Sequence, residues 1–186
     1  VSLLLSTLSA QGILVFTFTE AGGSVTLTSS GTIDISSPNT SSSGDQTGGF
    51  IQRQAPPLVN SMGISTGSGG FVNVDIYSFL PSSLDNSWFS DTSYDYLSGG
   101  GTVGAIYSID IDGGLIGLSV PKDYVSNGDL PNGTATFNHT LSDLGLIPGS
   151  YTAAVINGDD IQINIVPEPN SIWIAVISTF GLVGIV

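Results

Sequence analysis

Hydrophobic and polar residues alternate along most of this chain with a period of two, which is the pattern of half-buried β-strands. From Gly12 onward the run ILVFTFTE interleaves apolar and threonine side chains, and a turn at 20–23 leads into VTLT. A second turn at 29–31 precedes TIDI at 32–35. The start of the chain therefore predicts a meander of three short strands.

The same alternation returns after a polar segment at 36–49 (SSPNTSSSGDQTGG), which is predicted to be a loop. Before residue 172, no stretch of ten residues shows helical periodicity. The later strands are predicted at 50–53, 71–79, 102–111, 115–120, 134–139, 151–156 and 161–166. About ten short strands separated by turns predict an all-β fold, with a β-sandwich or jelly-roll-like body.

Three segments of this body are predicted to lack long regular structure. Pro56 and Pro57 exclude a central strand at their position, and Pro81 ends the strand that precedes it. The stretch 82–101 is aromatic, rich in Asp and irregular, and 141–146 (LSDLGL) is long enough for only a single helical turn. The sequence shows no internal repeat, and its length suits a single domain.

The last fifteen residues, 172–186 (IWIAVISTFGLVGIV), are apolar and carry no charge. A helix of this length reaches roughly 22 Å, short of the roughly 30 Å of a bilayer core, so it is predicted to be a transmembrane helix that is cut short. Trp173 lies where an indole meets lipid headgroups, and Phe180 lies further along the same anchor. The two prolines before this helix favour a stiff, extended spacer.

This arrangement resembles the C-terminal sorting signal of PEP-CTERM proteins, which are bacterial envelope and exopolysaccharide-associated proteins processed by the membrane protease exosortase. The resemblance rests on a short proline-flanked motif followed by an apolar helix that contains a tryptophan. Its motif residues here are Val166, Pro167, Glu168 and Pro169. A cluster of arginines that follows the helix in that family is missing, so the signal is expected to be either incomplete in this chain or non-functional. A linker before a terminal core helix is the alternative.

Further blocks of the chain are similar to a common ectodomain of that family. They are 16–23 (FTFTEAGG), 120–126 (VPKDYVS), 134–137 (TATF) and 144–151 (LGLIPGSY). Residues 36–115 match it weakly. The resemblance implies an exported, non-enzymatic protein of the cell surface or of an exopolysaccharide matrix, with exosortase and the membrane as partners. The resemblance implies where the protein is delivered, but it implies no catalytic activity.

The N-terminal residues agree with export. Residues 1–10 (VSLLLSTLSA) have the apolar run and small final residues of a signal peptide, with cleavage after Ala10 or Ser9. A buried first strand is the alternative. The predicted organisation is therefore a residual signal peptide at 1–10, a β-sandwich ectodomain at 11–165 and a sorting signal at 166–186.

The composition excludes several classes of function. Fifteen Asp and Glu residues face only Arg53 and Lys122, for a net charge of −13. Binding to nucleic acid requires several cations against the phosphates and is excluded. The chain contains no cysteine, so it has neither a disulfide framework nor a thiolate site. Only 9% of residues are charged, so uncharged polar side chains must supply most of the surface polarity.

Enzyme chemistry finds little support, and no catalytic residue is predicted. His139 is the only imidazole and has no motif around it, whereas a Ser-His-Asp triad needs a histidine held between two partners. Asp110 and Asp112 lie two apart on one strand, so they face the same way. An Asp-dependent hydrolase using such a pair remains an alternative class, although a solvated strand end explains the same residues.

Two binding alternatives remain beside these. No cofactor is predicted, but a structural Ca²⁺ would find oxygen ligands at turns. The candidate ligands are Asp110, Asp112, Asp159 and Asp160. A carbohydrate-binding module is the alternative function, because exposed aromatics with polar neighbours form platforms for sugars. The candidate glycan contacts in the 82–101 segment are Trp88, Tyr94 and Tyr96.

Overall fold

The computed structural model describes most of the chain between Gly12 and Pro169. The described residues are 12–36, 40–54, 61–67, 71–79, 81–84, 87–90, 94–102, 106–110, 115–155 and 159–169. Some of these are described by their backbone alone, namely 40, 47, 53, 54, 61, 62, 72, 79, 81–84, 94–96, 106–110, 115, 154 and 155. The predicted signal peptide at 1–10 and the membrane anchor with Trp173 and Phe180 lie outside the described residues.

Every regular element among the described residues is a β-strand, which confirms the predicted all-β class. The strands are β1 (Ile13–Ala21), β2 (Ser24–Gly31), β3 (Thr40–Thr47), β4 (Phe50–Gln54), β5 (Ser61–Ser65), β6 (Phe71–Phe79), β7 (Pro81–Leu84), β8 (Tyr94–Ser98), β9 (Ile106–Asp110), β10 (Leu115–Pro121), β11 (Gly133–Phe137), β12 (Gly149–Val155) and β13 (Asp160–Val166). They form two sheets.

The first sheet has six strands in the order β11-β2-β1-β13-β12-β7. β1 and β2 form a hairpin closed by Gly22 and Gly23, whose φ values of 60° and 75° are available to glycine without strain. β12 and β13 correspond to the last two predicted strands and pair antiparallel as a C-terminal hairpin. β1 runs parallel to β13, with Thr19 opposite Val166, so the last described residues emerge beside the β1–β2 turn.

The second sheet has seven strands in the order β3-β6-β10-β9-β5-β4-β8. Its longest pairing joins β3 to β6 over eight positions, from Thr40 opposite Ser78 to Thr47 opposite Phe71. β9 and β10 pair antiparallel, with Asp110 opposite Leu115. All pairings in this sheet are antiparallel among the described strands.

Both sheets contribute side chains to one hydrophobic core. On β1 the alternation is as predicted, because Leu14, Phe16 and Phe18 are fully buried while Val15, Thr17 and Thr19 are half-buried or exposed. The seven-stranded sheet contributes Ile64 and Leu118 to the same cluster. At about 25 cal/mol per Å² of buried apolar surface, this shared core is the main stabilising term of the fold.

The predicted third strand of the opening meander is not a strand. Residues 32–35 run alongside the segment 122–130 instead, where Asn127 N–H donates to the Ile33 carbonyl at 3.0 Å and Ile35 N–H donates to Ser126 Oγ at 2.9 Å. In TIDI, the backbone groups of Ile33 and Ile35 therefore form these hydrogen bonds with a loop and not with a neighbouring strand. Period-two patterning alone does not distinguish these two situations.

The segment predicted as a polar loop at 36–49 contains β3, which forms one edge of the seven-stranded sheet. Its described side chains between Ser41 and Gln46 are exposed or half-buried, so no apolar face marks it in the sequence. Pro81 begins β7 as well as ending β6. An edge strand tolerates proline at its first position because the missing N–H is not needed there.

The predicted single turn at 141–146 is present as a series of turns. Leu144 N–H donates to the Thr140 carbonyl at 3.1 Å, and Leu146 N–H donates to the Leu141 carbonyl at 2.9 Å. All three leucines of this segment are buried in the main core. This short segment, which connects β11 to β12 along the chain, therefore packs into the core without forming a helix.

Candidate functional site

The proline-flanked motif follows the last strand without an intervening loop. β13 ends at Val166, which is 46% exposed, and Pro167, Glu168 and Pro169 are exposed and in no regular structure. Proline at two of the three positions fixes φ and favours an extended backbone. The motif is therefore presented as an accessible, extended segment at the edge of a folded body.

One hydrogen bond ties this motif to the body. Glu168 Oε1 accepts from Gly22 N–H at 3.3 Å, at the tip of the β1–β2 hairpin. The contact depends on the parallel pairing of β1 with β13, which brings chain segments 146 positions apart to the same end of the sheet. Because the bond is exposed to solvent, it contributes little to stability and leaves the motif free to detach.

The predicted glycan contact Trp88 is a core residue, which corrects that prediction. Its side chain has no exposed surface and packs against Phe89 and Phe18, with ring centroids 4.5 Å and 6.3 Å away. A sugar ring cannot stack on an indole that solvent does not reach. Tyr94 and Tyr96 lie on β8, and their side chains are outside the described part of the structure.

The predicted calcium ligand Asp159 binds backbone amides. Its carboxylate is almost completely buried, Oδ1 accepts from Gly12 N–H at 2.8 Å, and Oδ2 accepts from Asp34 N–H. These bonds join the residue before β1 and the segment after β2 to the start of β13. The carboxylate holds three segments of the chain together.

The other three predicted metal ligands do not join Asp159 in a described cluster. Asp160 begins β13, whereas Asp110 ends β9 in the other sheet, and Asp112 lies outside the described residues. Within the described ranges, no three His, Cys, Asp or Glu side chains lie close enough to hold a metal ion. The structural Ca²⁺ stays a prediction.

A polar junction surrounds Asp159, and no pattern in the sequence indicates its partners. We define the Asp159 junction as residues 32–36, residues 122–130 and Asp159. Tyr124 donates from its hydroxyl to the Gly128 carbonyl at 2.6 Å and accepts from Ile33 N–H at 3.0 Å. Burial raises the pKa of Tyr124 above its ordinary value, and the nearby carboxylates act in the same direction.

Asp34 is the second carboxylate of this junction. It accepts from Ser126 Oγ at 2.5 Å and from Ser36 N–H at 2.9 Å. The hydrogen bond from Ser126 is the main cause that lowers the pKa of Asp34, and bonds from Ser36 add to it. These contacts fix a non-strand segment to the 122–130 loop, which explains why the third predicted strand is absent.

A second tyrosine hydroxyl closes the turn before β12. Tyr151 donates to the Ile147 carbonyl at 3.0 Å, four residues upstream, across Pro148 and Gly149. Gly149 has a φ of 157°, and a Cβ there would approach the Tyr151 hydroxyl to 2.8 Å. The LIPGSY run could have revealed this turn, because a tyrosine shortly after Pro-Gly is placed to bond back to the chain.

His139 shows no catalytic arrangement in the described structure. It is exposed in a bend after β11, next to a turn in which Asp143 Oδ2 accepts from Thr140 N–H at 3.0 Å and Asp143 N–H donates back to Thr140 Oγ1 at 3.1 Å. The hydrogen bond from the Thr140 N–H is the main cause that lowers the pKa of Asp143, and the Thr140 side chain adds to it. Asp143 and Thr140 thus stabilise a surface turn.

Comparisons with known proteins identify no relative of this chain. No protein-family model matches the chain, and neither a curated protein nor a solved structure matches it at a significant level. The part of the chain that the structure describes contains no helix of a length and apolar character sufficient to span a bilayer.

Proposed function

We propose that this chain is an exported, non-enzymatic protein of the bacterial cell surface or exopolysaccharide matrix. Its body is a β-sandwich of jelly-roll-like type, and its C-terminal motif and membrane helix deliver it to the envelope. The membrane holds the chain until exosortase cuts near Pro167, Glu168 and Pro169. The proposal includes no cofactor and no catalytic residue.

The position of the motif is the observation that carries this proposal. The last core strand ends at Val166, and Pro167, Glu168 and Pro169 follow it exposed and outside any strand. A protease must bind its substrate as an extended segment with free backbone groups, and a segment inside a sheet does not meet that requirement. Cleavage at this point would remove nothing from the described core.

Two features support the sandwich body. Both sheets bury side chains in one core, and the hydrogen bond of Tyr151 back to Ile147 resembles the tyrosine corner of Greek-key sandwiches. Because β1 and β13 run parallel, the described chain begins at one end of this strand pair and leaves it at the other end.

Processing in membranes tests the proposal. The 186-residue chain is expressed in cells with and without an exosortase, once as it is and once with an added C-terminal arginine cluster, and the product mass is measured. We expect the enzyme to shorten the arginine-bearing chain within the motif. A double substitution Pro167→Ala and Glu168→Gln should abolish this shortening, whereas Glu20→Gln, at the neighbouring hairpin, should not.

The same experiment can overturn the proposal. A chain that bears the arginine cluster and yet keeps residues 166–186 in cells with an active exosortase would contradict sorting through this motif. Shortening that persists in the double variant would place the cut elsewhere. Either result would return the C-terminal segment to the alternative of a linker and a terminal helix.

A further inference from the structure

The outer face of the six-stranded sheet carries an ordered array of uncharged side chains. On β1, β2, β11, β12 and β13, every second residue points away from the core. We define the threonine face by these outward residues, all of them exposed or half-buried: Val15, Thr17, Thr19, Thr26, Thr28, Ser30, Thr134, Thr136, Ser150, Thr152, Gln162, Asn164 and Val166.

Strand register aligns these residues in three rows across the sheet. The central row is Thr134, Thr28, Thr17, Asn164 and Ser150. A second row is Thr136, Thr26, Thr19 and Val166. The third is Ser30, Val15, Gln162 and Thr152. Rows repeat every two residues, or about 6.7 Å, and neighbours within a row lie about 4.8 Å apart.

Hydrogen bonds run along these rows. Ser150 Oγ donates to Asn164 Oδ1 at 2.8 Å at one end of the central row. At the other end, Thr134 Oγ1 lies 3.1 Å from the hydroxyl of Thr102, which extends the row beyond β11. These bonds orient the side chains, so the face is partly ordered before it meets a ligand, and binding loses less conformational entropy.

The threonine face is neutral in a strongly acidic protein. None of its thirteen residues is ionisable, while the chain carries a net charge of −13. Asp160 lies one row beyond it, and Glu20 lies at the hairpin end. A partner that approaches this face meets hydroxyl, amide and methyl groups, and the acidic groups at its margin repel polyanions.

Its chemistry and size exclude most partners. Nucleic acids and acidic lipids require cations, which the face lacks. Between its outermost strands and its outermost rows the face measures about 19 Å by about 13 Å, an area well below the roughly 800 Å² per partner of a stable protein interface. It also lacks the Trp, Tyr and Arg anchors of such interfaces.

We propose that the threonine face binds a neutral, hydroxyl-rich polysaccharide. Hydroxyl and amide groups on both sides donate and accept, and the threonine methyl groups contact the apolar faces of the sugar rings. Each contact is weak, and the repeat of a polymer engages several rows at once. This inference deepens the proposed function, on which it rests for the matrix setting.

Affinity electrophoresis of the full chain in native gels tests the inference, with dextran and hydroxyethylcellulose as neutral probes and alginate as an acidic probe. The test variant is the triple substitution Thr17→Val, Thr28→Val and Thr136→Val, which removes hydroxyls but keeps side-chain shape and strand propensity. The matched control is Ser41→Val with Ser42→Val, on exposed positions of β3 in the other sheet. Circular dichroism checks that every variant folds.

We expect at least one neutral glucan to retard the chain and the triple variant to lose at least about fivefold in affinity, with the β3 control unchanged. Alginate should cause no retardation. Absence of retardation by both glucans, equal retardation of the triple variant, or equal binding of alginate would each overturn the inference. A dimer detected by light scattering and lost in the triple variant would assign the face to a second copy instead. None of these readouts depends on cleavage of the tail, so the sorting proposal can fail separately.

Discussion

The carboxylate of Asp159 and the indole of Trp88 are both removed from solvent, with exposed fractions of 3% and 0%. Asp159 satisfies its oxygens with the amides of Gly12 and Asp34, on segments far apart in the sequence. Trp88 Nε1 finds no hydrogen-bond acceptor in the described structure. The polar junction is held by directional bonds, whereas the aromatic site is held by packing and retains an unpaired donor.

This difference shows two ways to keep a polar group in an all-β core. A buried charge is tolerated where it accepts several backbone hydrogen bonds, because those amides would otherwise lack partners themselves. An unpaired N–H costs about 1–3 kcal/mol and is tolerated where a large ring gains more by burial. Substitutions at the two sites should therefore change the free energy of unfolding to different extents.

The largest effect is expected for Trp88→Ala. Removing a fully buried indole leaves a cavity beside Phe18 and Phe89 and should lower the free energy of unfolding by about 3–5 kcal/mol. Urea denaturation followed by circular dichroism measures it. The control is Phe71→Ala, since Phe71 is 81% exposed and should change stability by less than about 0.5 kcal/mol. If Trp88→Ala lowers the free energy of unfolding as little as this control does, the prediction of an exposed sugar-binding platform would be supported instead.

The next effect is expected for Asp159→Ala. The substitution leaves the amides of Gly12 and Asp34 without their acceptor, which should cost about 2–4 kcal/mol in the same denaturation assay. Asp159→Asn keeps one carbonyl oxygen and should lose less, and Asp160→Asn should be nearly neutral. The loss should be equal with and without calcium. A stabilisation by calcium that disappears in Asp159→Ala would instead support the predicted metal site.

Much of the six-stranded sheet could be predicted from the sequence, because one of its faces is buried and the other is not. Alternation identified β1 and the C-terminal hairpin, since each exchanges apolar and polar residues along its length. β3 carries no apolar face, so nothing in its Ser-rich sequence distinguishes an edge strand from a loop. Register and sheet order depend on pairings between distant segments and were not predicted.

The roles of single residues were less predictable than the strands. An aromatic residue beside Asp in a loop fits both a sugar platform and a core, and only tertiary packing places Trp88 in the core. An Asp in a turn fits both a metal site and an amide acceptor, and the partners of Asp159 lie 147 and 125 positions away. The exposed motif at 166–169 was predictable because its position follows from local chain properties.

A smaller effect is expected for Tyr124→Phe, which tests the periphery of the Asp159 junction. Loss of the hydroxyl leaves the Ile33 amide and the Gly128 carbonyl unpaired, at a cost of about 1–2 kcal/mol. The pKa of Tyr124 is raised by burial. Its contribution to stability is therefore complete below the ordinary pKa of about 10 and is lost as pH rises through the higher folded value. Denaturation from about pH 8 to about pH 11 should show a shallower decline for the variant.

A still smaller effect concerns Asp34, whose pKa is lowered mainly by the Ser126 hydroxyl. A carboxyl with a lowered folded pKa stabilises the native state above its unfolded pKa, and this contribution is lost as pH falls through the folded value. Ser126→Ala should therefore reduce stability at neutral pH slightly and flatten the decline below about pH 4. The control is Ser142→Ala, on an exposed turn. An unchanged acid profile in the Ser126 variant would contradict this coupling.

The smallest effect, and the sharpest test of the comparison, is expected for Trp88→Phe. The substitution removes the unpaired Nε1 donor, which recovers about 1–3 kcal/mol, and it loses part of the buried ring, which costs a similar amount. The free energy of unfolding should change by less than about 1 kcal/mol, although Trp88→Ala at the same position costs several times more. Asp159→Asn, which also keeps most of the side chain, should be more harmful than Trp88→Phe because it removes a charge-assisted bond. If Trp88→Phe is instead nearly as destabilising as Trp88→Ala, the indole N–H has a hydrogen-bond partner and the two sites follow the same rule.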